Sequence, residues 1–119
     1  MRDHRSLVAW QRASAVCRWS VRASARYWRP PVRVVFDRLL RAALNAQLHI
    51  AEGHALRSNE QFKRHLRLAY GAFVETIDLL RLLDEEHLVP TQEVIEALKT
   101  ADQGRADLLG LLRKYRTLE

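Results

Sequence analysis

The sequence is poor in the residues that form disulfides, flexible linkers and membrane spans. It has one cysteine, Cys17, so no intrachain disulfide can form. Glycines number four and prolines three in 119 residues, and arginines interrupt every apolar run well before the ~18 residues of a membrane-spanning helix. The first ten residues, MRDHRSLVAW, lack the apolar segment of a signal peptide. These absences predict a single cytoplasmic domain that spans no membrane.

Positive charge is concentrated in the first half of the chain. The net charge is +6. Residues 1–50 hold ten arginines against Asp3 and Asp37, whereas the remaining residues hold ten basic and twelve acidic side chains. Such an asymmetry favours a polyanionic partner. The alternative is that these arginines pair with the acidic half of the chain, either inside the fold or across an assembly.

Apolar residues that recur every three or four positions predict four helices. The predicted segments run from Ser6 to about Trp28, from Val34 to Glu52, from about Gln61 to about His87, and from Thr91, as the N-cap, to the C-terminus. The prolines of RPP at 29–31 and VPT at 89–91 separate them. Four helices with short connections predict an all-α fold, an antiparallel up-and-down four-helix bundle that forms one domain over residues 1–119.

The predicted inner faces of helices 1 and 3 differ in character. Helix 3 is expected to bury mainly large apolar side chains, namely Phe62, Leu66, Ala69, Phe73, Ile77 and Leu80. Helix 1 is expected to bury a mixture of rings and small residues, namely Trp10, Ser14, Cys17, Val21, Ser24 and Trp28. A cysteine on such a face is expected to be a buried structural thiol rather than a nucleophile.

The segment IAEGHALRSNEQF at 50–62 predicts a sharp corner between helices 2 and 3. Gly53 is predicted to end helix 2 in the left-handed conformation, because a glycine has no Cβ to clash there. Ser58 is predicted to be the N-cap of helix 3, in a capping box with Gln61. The residues HALR would then connect the two helices. A glycine in the middle of helix 3, Gly71, predicts the close approach of another helix.

Helix 3 carries more apolar residues than its own bundle requires. At about 100° per residue, Leu68, Leu79 and Leu82 lie well away from the inner face, together with Ala72. Neighbouring helices of the same chain are one way to cover them. The other is a subunit interface, because a small monomer rarely exposes a continuous apolar strip. We therefore treat Leu68, Leu79 and Leu82 as candidate subunit-interface residues.

A row of arginines on helix 1 is the main candidate for a binding site. This arginine stripe consists of Arg18, Arg22, Arg26 and Arg29. Its members recur at about one helical turn, so they share one side of the helix. Together with Arg41 on helix 2, they are candidates for contacts to the phosphates of RNA or DNA. The competing interpretation pairs the stripe with acidic side chains, for which DEEH at 84–87 is the obvious source.

No catalytic or cofactor-binding pattern is present. The sequence has no Gly-rich phosphate loop, no H-E-x-x-H and no G-x-S-x-G. His49 with Glu52, and Asp84 with His87, are pairs three residues apart, but both are predicted on polar helix faces, which indicates a solvated surface rather than a metal site. The prediction is therefore a non-enzymatic protein with no catalytic residue, no metal, no cofactor and no small-molecule substrate.

Several short segments stand in a distinctive order and spacing. They are LVAWQRA at 7–13, RAA at 41–43, IAEG at 50–53, the pattern S-x-x-Q-F-x-x-x-L from Ser58 to Leu66, and then Ala69, Gly71 and Glu75. In these segments the chain resembles the four-helix-bundle proteins encoded by intervening sequences of bacterial 23S ribosomal RNA genes. It departs from that family's pattern at Gln47 and His49, where members usually have proline and asparagine.

This resemblance implies a ring-like homopentamer of four-helix bundles without known catalytic residues. It also implies structural similarity to the accessory variability protein of diversity-generating retroelements, a basic pentameric barrel that binds nucleic acid and a reverse transcriptase. Together with the arginine stripe, it predicts a homopentamer that binds RNA or DNA through arginines of helices 1 and 2. The alternative is a structural or protein-binding scaffold whose arginines form salt bridges within and between subunits.

Overall fold

The computed structural model describes residues 3–117, and within them the chain forms four helices and no strand. The helices are α1 (Val8–Tyr27), α2 (Arg33–Ala55), α3 (Asn59–Glu85) and α4 (Thr91–Thr117). Short 3-10 turns at His4–Ser6 and Pro30–Val32 precede α1 and α2. Each helix packs against its neighbours in the sequence, and α4 packs back on α1, which closes a bundle 46 Å long. The predicted all-α, antiparallel four-helix bundle is confirmed.

The apolar face of α3 lies in the core, as predicted. All six side chains of its predicted inner face are buried. They share one continuous cluster with side chains of the other helices, including Leu39 and Ile50 of α2 and Val94 and Leu108 of α4. Burying a large apolar side chain contributes about 1.5–3 kcal/mol. The periodicity of α3 thus places this helix between α2 and α4, on both of which it packs.

The fully buried residues of α1 are mostly small, whereas its large rings Trp10, Trp19 and Tyr27 pack against the edge of the core and are only partly buried. The prediction that Val21 and Trp28 lie on its inner face is wrong, because these side chains are 54% and 44% exposed. The buried residues of α1 are mostly alanine and serine, namely Ala9, Ala13, Ser14, Val16, Cys17, Ser20, Ala23 and Ser24. Small residues let a helix approach its neighbours closely, although they give a weak hydrophobic signal. Cys17 is buried as predicted, and this burial raises the pKa of its thiol.

The corner between α2 and α3 differs from the prediction. Helix α2 continues through Gly53, which does not have a positive φ. The left-handed residue is Arg57, with a φ of 53°, and the connection is residues 56–58 rather than HALR. The N-cap was predicted correctly, since the Ser58 hydroxyl oxygen accepts a hydrogen bond from the backbone N–H of Gln61 at 3.3 Å.

Gly53 is required by close helix packing rather than by backbone conformation. A Cβ at this position would lie 2.6 Å from the Cβ of His65 and 3.1 Å from the ring of Phe62. Real side chains do not approach one another at 2.6 Å, so a residue with a Cβ would push α3 away from α2. The glycine therefore sets the distance between these two helices near their connection.

Gly71 does not lie at a close helix contact, contrary to the prediction. A Cβ there would meet no described atom within 4 Å. The close approach occurs instead at Gly104 of α4, where a Cβ would lie 2.6 Å and 2.7 Å from two ring carbons of Phe73. Because Gly104 has no side chain, the Phe73 ring of α3 occupies the space beside it.

Substituting Gly53 and Gly71 by alanine should have opposite effects on stability. Gly53→Ala is expected to lower the free energy of unfolding by about 1–3 kcal/mol, because its Cβ would overlap that of His65. Gly71→Ala is the matched control, and it should raise the free energy of unfolding by about 1 kcal/mol through helix propensity alone. Urea unfolding followed by circular dichroism measures both. A Gly53→Ala variant as stable as the parent would contradict the close contact.

Candidate nucleic-acid interface

The arginine stripe lies on the outer side of α1. Arg18, Arg22 and Arg26 are exposed on successive turns, and Arg29 is exposed in the connection that follows the helix. At 1.5 Å per residue the helical part of the stripe, from Arg18 to Arg26, is about 12 Å long. Each four-residue step also advances about 40° around the helix. The stripe therefore turns from the outer surface at Arg18 toward α4 at Arg26, which contacts that helix.

Arg26 has an acidic partner on α4. Its Nη1 atom lies 3.5 Å from Glu93 Oε1, and its guanidinium carbon lies 5.3 Å from the centre of the Tyr27 ring. Such an exposed ion pair contributes about 0–1 kcal/mol to stability. The other three members, Arg18, Arg22 and Arg29, form no salt bridge with any residue that the structure describes.

Apart from the Arg26–Glu93 pair, the salt bridges among the four helices use arginines outside the stripe. The pairs that join residues of the four helices include Arg12–Asp107 at 2.8 Å, Arg38–Glu75 at 2.6 Å and Arg105–Asp102 at 3.1 Å. The first connects α1 to α4 and the second connects α2 to α3, whereas the third lies within α4. Pairing among the described residues therefore accounts for part of the basic charge of the chain and leaves most of the stripe without an acidic partner.

The acidic segment at 84–87 does not neutralise the stripe within the described residues. Asp84 Oδ1 accepts a hydrogen bond from the Thr91 hydroxyl at 2.7 Å. Thr91 is the first residue of α4 rather than its predicted N-cap. No salt bridge between residues 3 and 117 joins the 84–87 segment to the stripe. The 84–87 segment therefore leaves Arg18, Arg22 and Arg29 exposed to solvent.

A surface pocket of about 280 Å³ adjoins the stripe. Its lining includes Trp19, Arg22, Arg26, Tyr27 and Glu93. The Tyr27 hydroxyl donates to Glu93 Oε2 at 2.5 Å, and this hydrogen bond raises the pKa of Tyr27 above its ordinary value. Trp19 is half-buried and packs against the core. The two aromatic rings therefore hold α1 against α4, and Tyr27 keeps Glu93 beside Arg26.

Arg41 lies apart from the stripe. It is exposed on the outer face of α2 and forms no salt bridge with any described residue. Its neighbours on that face, one turn and two turns along the helix, are Leu44 and Leu48, which are also exposed. The structure therefore brings together the four predicted arginines of the stripe and places the fifth predicted arginine on another helix face.

A second candidate surface is apolar and is formed by α2 and α3. Leu68 and Leu82 are 46% and 38% exposed, whereas Leu79 is half-buried and Ala72 is buried. The structure adds exposed apolar residues of α2 that sequence reasoning missed. The resulting α2–α3 apolar face consists of Val34, Leu44, Leu48, Leu68, Leu79 and Leu82.

The register of the two helices places apolar residues of α2 and α3 at matching levels. Contacts between Arg38 and Glu75 and between His49 and His65 fix which residues of α2 and α3 lie level. Counting along the antiparallel helices from these pairs places Leu48 within about one turn of Leu68, and Val34 level with Leu79. The spacing of four residues places Leu44 and Leu48 on one side of α2, and this was the signal in the sequence. Their relation to the leucines of α3 depends on how the two helices pack.

Another basic pocket, of about 590 Å³, lies at the start of α3. Its lining includes Lys63, Arg64, Arg67, Glu60 and Tyr115. The sequence did not predict this pocket, because the excess of positive charge lies in residues 1–50 and the pocket lies beyond them. The signal was the spacing of three basic residues at 63, 64 and 67, which places them along one side of a helix.

Two histidines and a glutamate meet where α2 packs on α3. His49 Nδ1 lies 3.1 Å from His65 Nδ1, and Glu52 Oε2 lies 3.9 Å from His65 Nδ1. The sequence identified His49 and Glu52 as a pair, but His65 is 16 residues beyond His49 on the next helix. The cluster therefore depends on the packing of the two helices.

Comparison with known proteins agrees with the four-helix architecture. No helix within residues 3–117 is long and apolar enough to cross a membrane. No match was found among curated proteins. The family model of the 23S rRNA-intervening sequence protein matches residues 5–110, which include α1, α2, α3 and most of α4. The resemblance inferred from the order of short motifs is confirmed, and the chain belongs to the 23S rRNA-intervening sequence protein family.

Proposed function

We propose that the protein is a non-enzymatic homopentamer that binds the phosphate backbone of RNA or DNA through the arginine stripe. The observation that carries this proposal is that Arg18, Arg22 and Arg29 are exposed without an acidic partner among the described residues. Like charges one turn apart destabilise a helix by about 0.2–0.5 kcal/mol per pair. Phosphates would offset this repulsion, and the release of their counterions would favour binding.

The arrangement of the two candidate surfaces supports assembly and binding at the same time. The helices surround the core in the order α1, α2, α3 and α4, so the α1–α4 side of the bundle is opposite the α2–α3 side. The stripe turns toward α4, whereas the apolar face lies on α2 and α3. A ring uses two different surfaces of each subunit, and subunits that pack the apolar face on a neighbour's surface away from α1 would leave each stripe exposed. A ring of five subunits, the number that the family resemblance implies, would present five stripes, and weak contacts would add through multivalency.

The second candidate function is a structural or protein-binding scaffold without a nucleic-acid role. The Arg12–Asp107 and Arg38–Glu75 salt bridges favour it, because this chain already uses arginines to join helices. The α2–α3 apolar face also suits a protein partner. In a scaffold, the unpaired arginines of the stripe would meet acidic side chains of another subunit. The two functions therefore predict different effects of removing charge from the stripe: weaker nucleic-acid binding for the first function and loss of assembly for the second.

Removing two unpaired arginines should weaken nucleic-acid binding and leave the fold intact. For the Arg18→Gln/Arg22→Gln variant we expect a lower affinity for generic RNA and DNA. The slope of log affinity against log salt should also become shallower by about 0.7–0.9 for each phosphate that the variant no longer neutralises. The matched control is Arg81→Gln/Arg113→Gln, which removes the same charge from exposed positions of α3 and α4. Gel-shift titrations across salt concentrations measure all three proteins.

Sedimentation of the same proteins separates the two functions. The nucleic-acid proposal expects the Arg18→Gln/Arg22→Gln variant to assemble like the parent. A parent that binds no nucleic acid at about 50 mM salt would overturn the proposal, because backbone contacts are strongest at low salt. An equal decrease in affinity in the control variant would also overturn it. A parent that does not bind, combined with a stripe variant that no longer assembles, is the outcome that the scaffold function predicts.

Placing charge on the α2–α3 apolar face should disrupt assembly. We expect the parent to sediment as a pentamer at micromolar concentration and Leu48→Glu/Leu68→Glu to sediment as a monomer, because two carboxylates would be buried without partners. The control is Ile95→Glu, at an exposed apolar position of α4. Circular dichroism should show unchanged helix content in both variants. A monomeric parent would refute assembly, and a parent of another stoichiometry would refute the pentamer.

A further inference from the structure

We propose that His49, Glu52 and His65 bind a divalent transition-metal ion, for which Zn²⁺ is the best fit. One donor atom of each residue lies within 4.8 Å of the other two. The donors come from two helices in contact, with His49 and Glu52 on α2 and His65 on α3. Neither assembly nor phosphate binding requires this cluster, so the inference is independent of the proposed function.

The distance between the histidines is close to the spacing of two zinc ligands. Zinc binds imidazole nitrogens at about 2.0–2.1 Å in tetrahedral geometry, which places two such nitrogens about 3.3–3.4 Å apart. The Nδ1 atoms of His49 and His65 are 3.1 Å apart. An ion equidistant from both therefore needs only a small separation of the rings. Glu52 Oε2 lies 3.9 Å from His65 Nδ1, and the three donor atoms lie within 4.8 Å of one another, so the carboxylate must approach His65 by about half an ångström and His49 by up to about 1.5 Å.

The fold holds the histidines in place and leaves the carboxylate free to move. His49 and Glu52 are three residues apart on α2, so they project from the same side of the helix. His65 is held against α2 by its contact with Gly53, where no side chain intervenes. The side chain of His65 is 15% exposed, whereas that of Glu52 is 59% exposed. The two nitrogens are thus preorganised, and rotation of an exposed glutamate completes the set.

The donor set determines the class of ion. Two imidazoles and one carboxylate suit Zn²⁺, Co²⁺, Ni²⁺ or Cu²⁺ rather than Mg²⁺ or Ca²⁺, which prefer oxygen ligands. Three protein ligands leave one tetrahedral position for water. Without an ion, two ring nitrogens at hydrogen-bond distance require one of them to carry a hydrogen. Metal binding at both Nδ1 atoms would require that hydrogen to move to Nε2 of the same ring, because a neutral imidazole keeps one N–H, and two N–metal bonds would replace the N–H···N bond.

Metal titration of the full chain tests this site. After treatment with a chelator, Co²⁺ is added as a spectroscopic probe and Zn²⁺ binding is measured by calorimetry. We expect one ion per chain, a visible Co²⁺ spectrum typical of tetrahedral coordination, and a Zn²⁺-dependent rise in melting temperature. His49→Gln and His65→Gln should weaken Zn²⁺ binding by more than about 100-fold, since removal of an outer partner alone costs about 10–100-fold. Glu52→Gln should weaken it by a smaller factor.

The control is His54→Gln, which removes another histidine of α2 whose ring packs on Phe62. It should bind Zn²⁺ like the parent. Because His65 is mostly buried, His49→Gln provides the second test if His65→Gln does not fold. Absence of stoichiometric binding by the parent would overturn the proposal and leave a histidine–histidine hydrogen bond. Equal affinity in the parent and in His49→Gln would overturn it as well, and so would an equal decrease in His54→Gln.

Discussion

The close packing of α2 on α3 at Gly53 is the contact on which the main surfaces of this protein depend. With no Cβ at residue 53, the His65 Cβ can approach the α2 backbone, and the two helices take up a fixed register. That register brings His65 beside His49 and places Leu48 near Leu68. It also allows Arg38 to reach Glu75 at 2.6 Å farther along the helices. One glycine therefore helps to define an apolar face, a salt bridge and a histidine cluster.

Basic residues of this bundle fall into paired and unpaired groups, and the distinction follows from their position on each helix. Arg12 and Arg38 lie beside a neighbouring helix, and each finds a carboxylate there. Arg18 and Arg22 lie on the outer side of α1 and form no salt bridge with an acid among the described residues. Charge on the outer side of a helix is left for solvent or for another molecule, which is why we propose the stripe as the site for phosphates.

Most of the fold could be predicted from the sequence, because α2, α3 and α4 bury large apolar residues at helical spacing and Ser58 is an unambiguous cap. The buried face of α1 was predicted only in part: Ser14, Cys17 and Ser24 are buried as expected, but alanines such as Ala13 carry little hydrophobic signal even when they are fully packed. The sequence predicted a structural requirement for glycine at residue 53, but it attributed this requirement to a left-handed backbone conformation instead of close helix packing. A glycine near a helix end is compatible either with a left-handed cap or with a close helix contact, and only the position of α3 shows which of the two applies.

The candidate site was predictable to the extent that it lies on one helix. Arg18, Arg22 and Arg26 share one side of α1 by spacing alone, and Arg29 follows them in the connection after the helix. Arg41 could not be assigned in this way, because its relation to the stripe depends on how α1 and α2 are turned. The same limit applies to His65 and to Leu48, whose roles require the register of two helices.

The position of Arg41 adds a constraint on any assembly through the α2–α3 apolar face. Arg41 lies on the outer face of α2 near Leu44 and Leu48 and has no salt bridge within the described residues. An arginine buried in an interface without a partner would cost several kcal/mol, on the order of the penalty for an uncompensated buried charge. Association through this face must therefore either keep Arg41 at the solvated rim or supply a carboxylate or carbonyl oxygen from the neighbouring subunit. Since the long arginine stem can lie along leucines while its guanidinium reaches water, the rim position fits an apolar interface centred on Leu48 and Leu68.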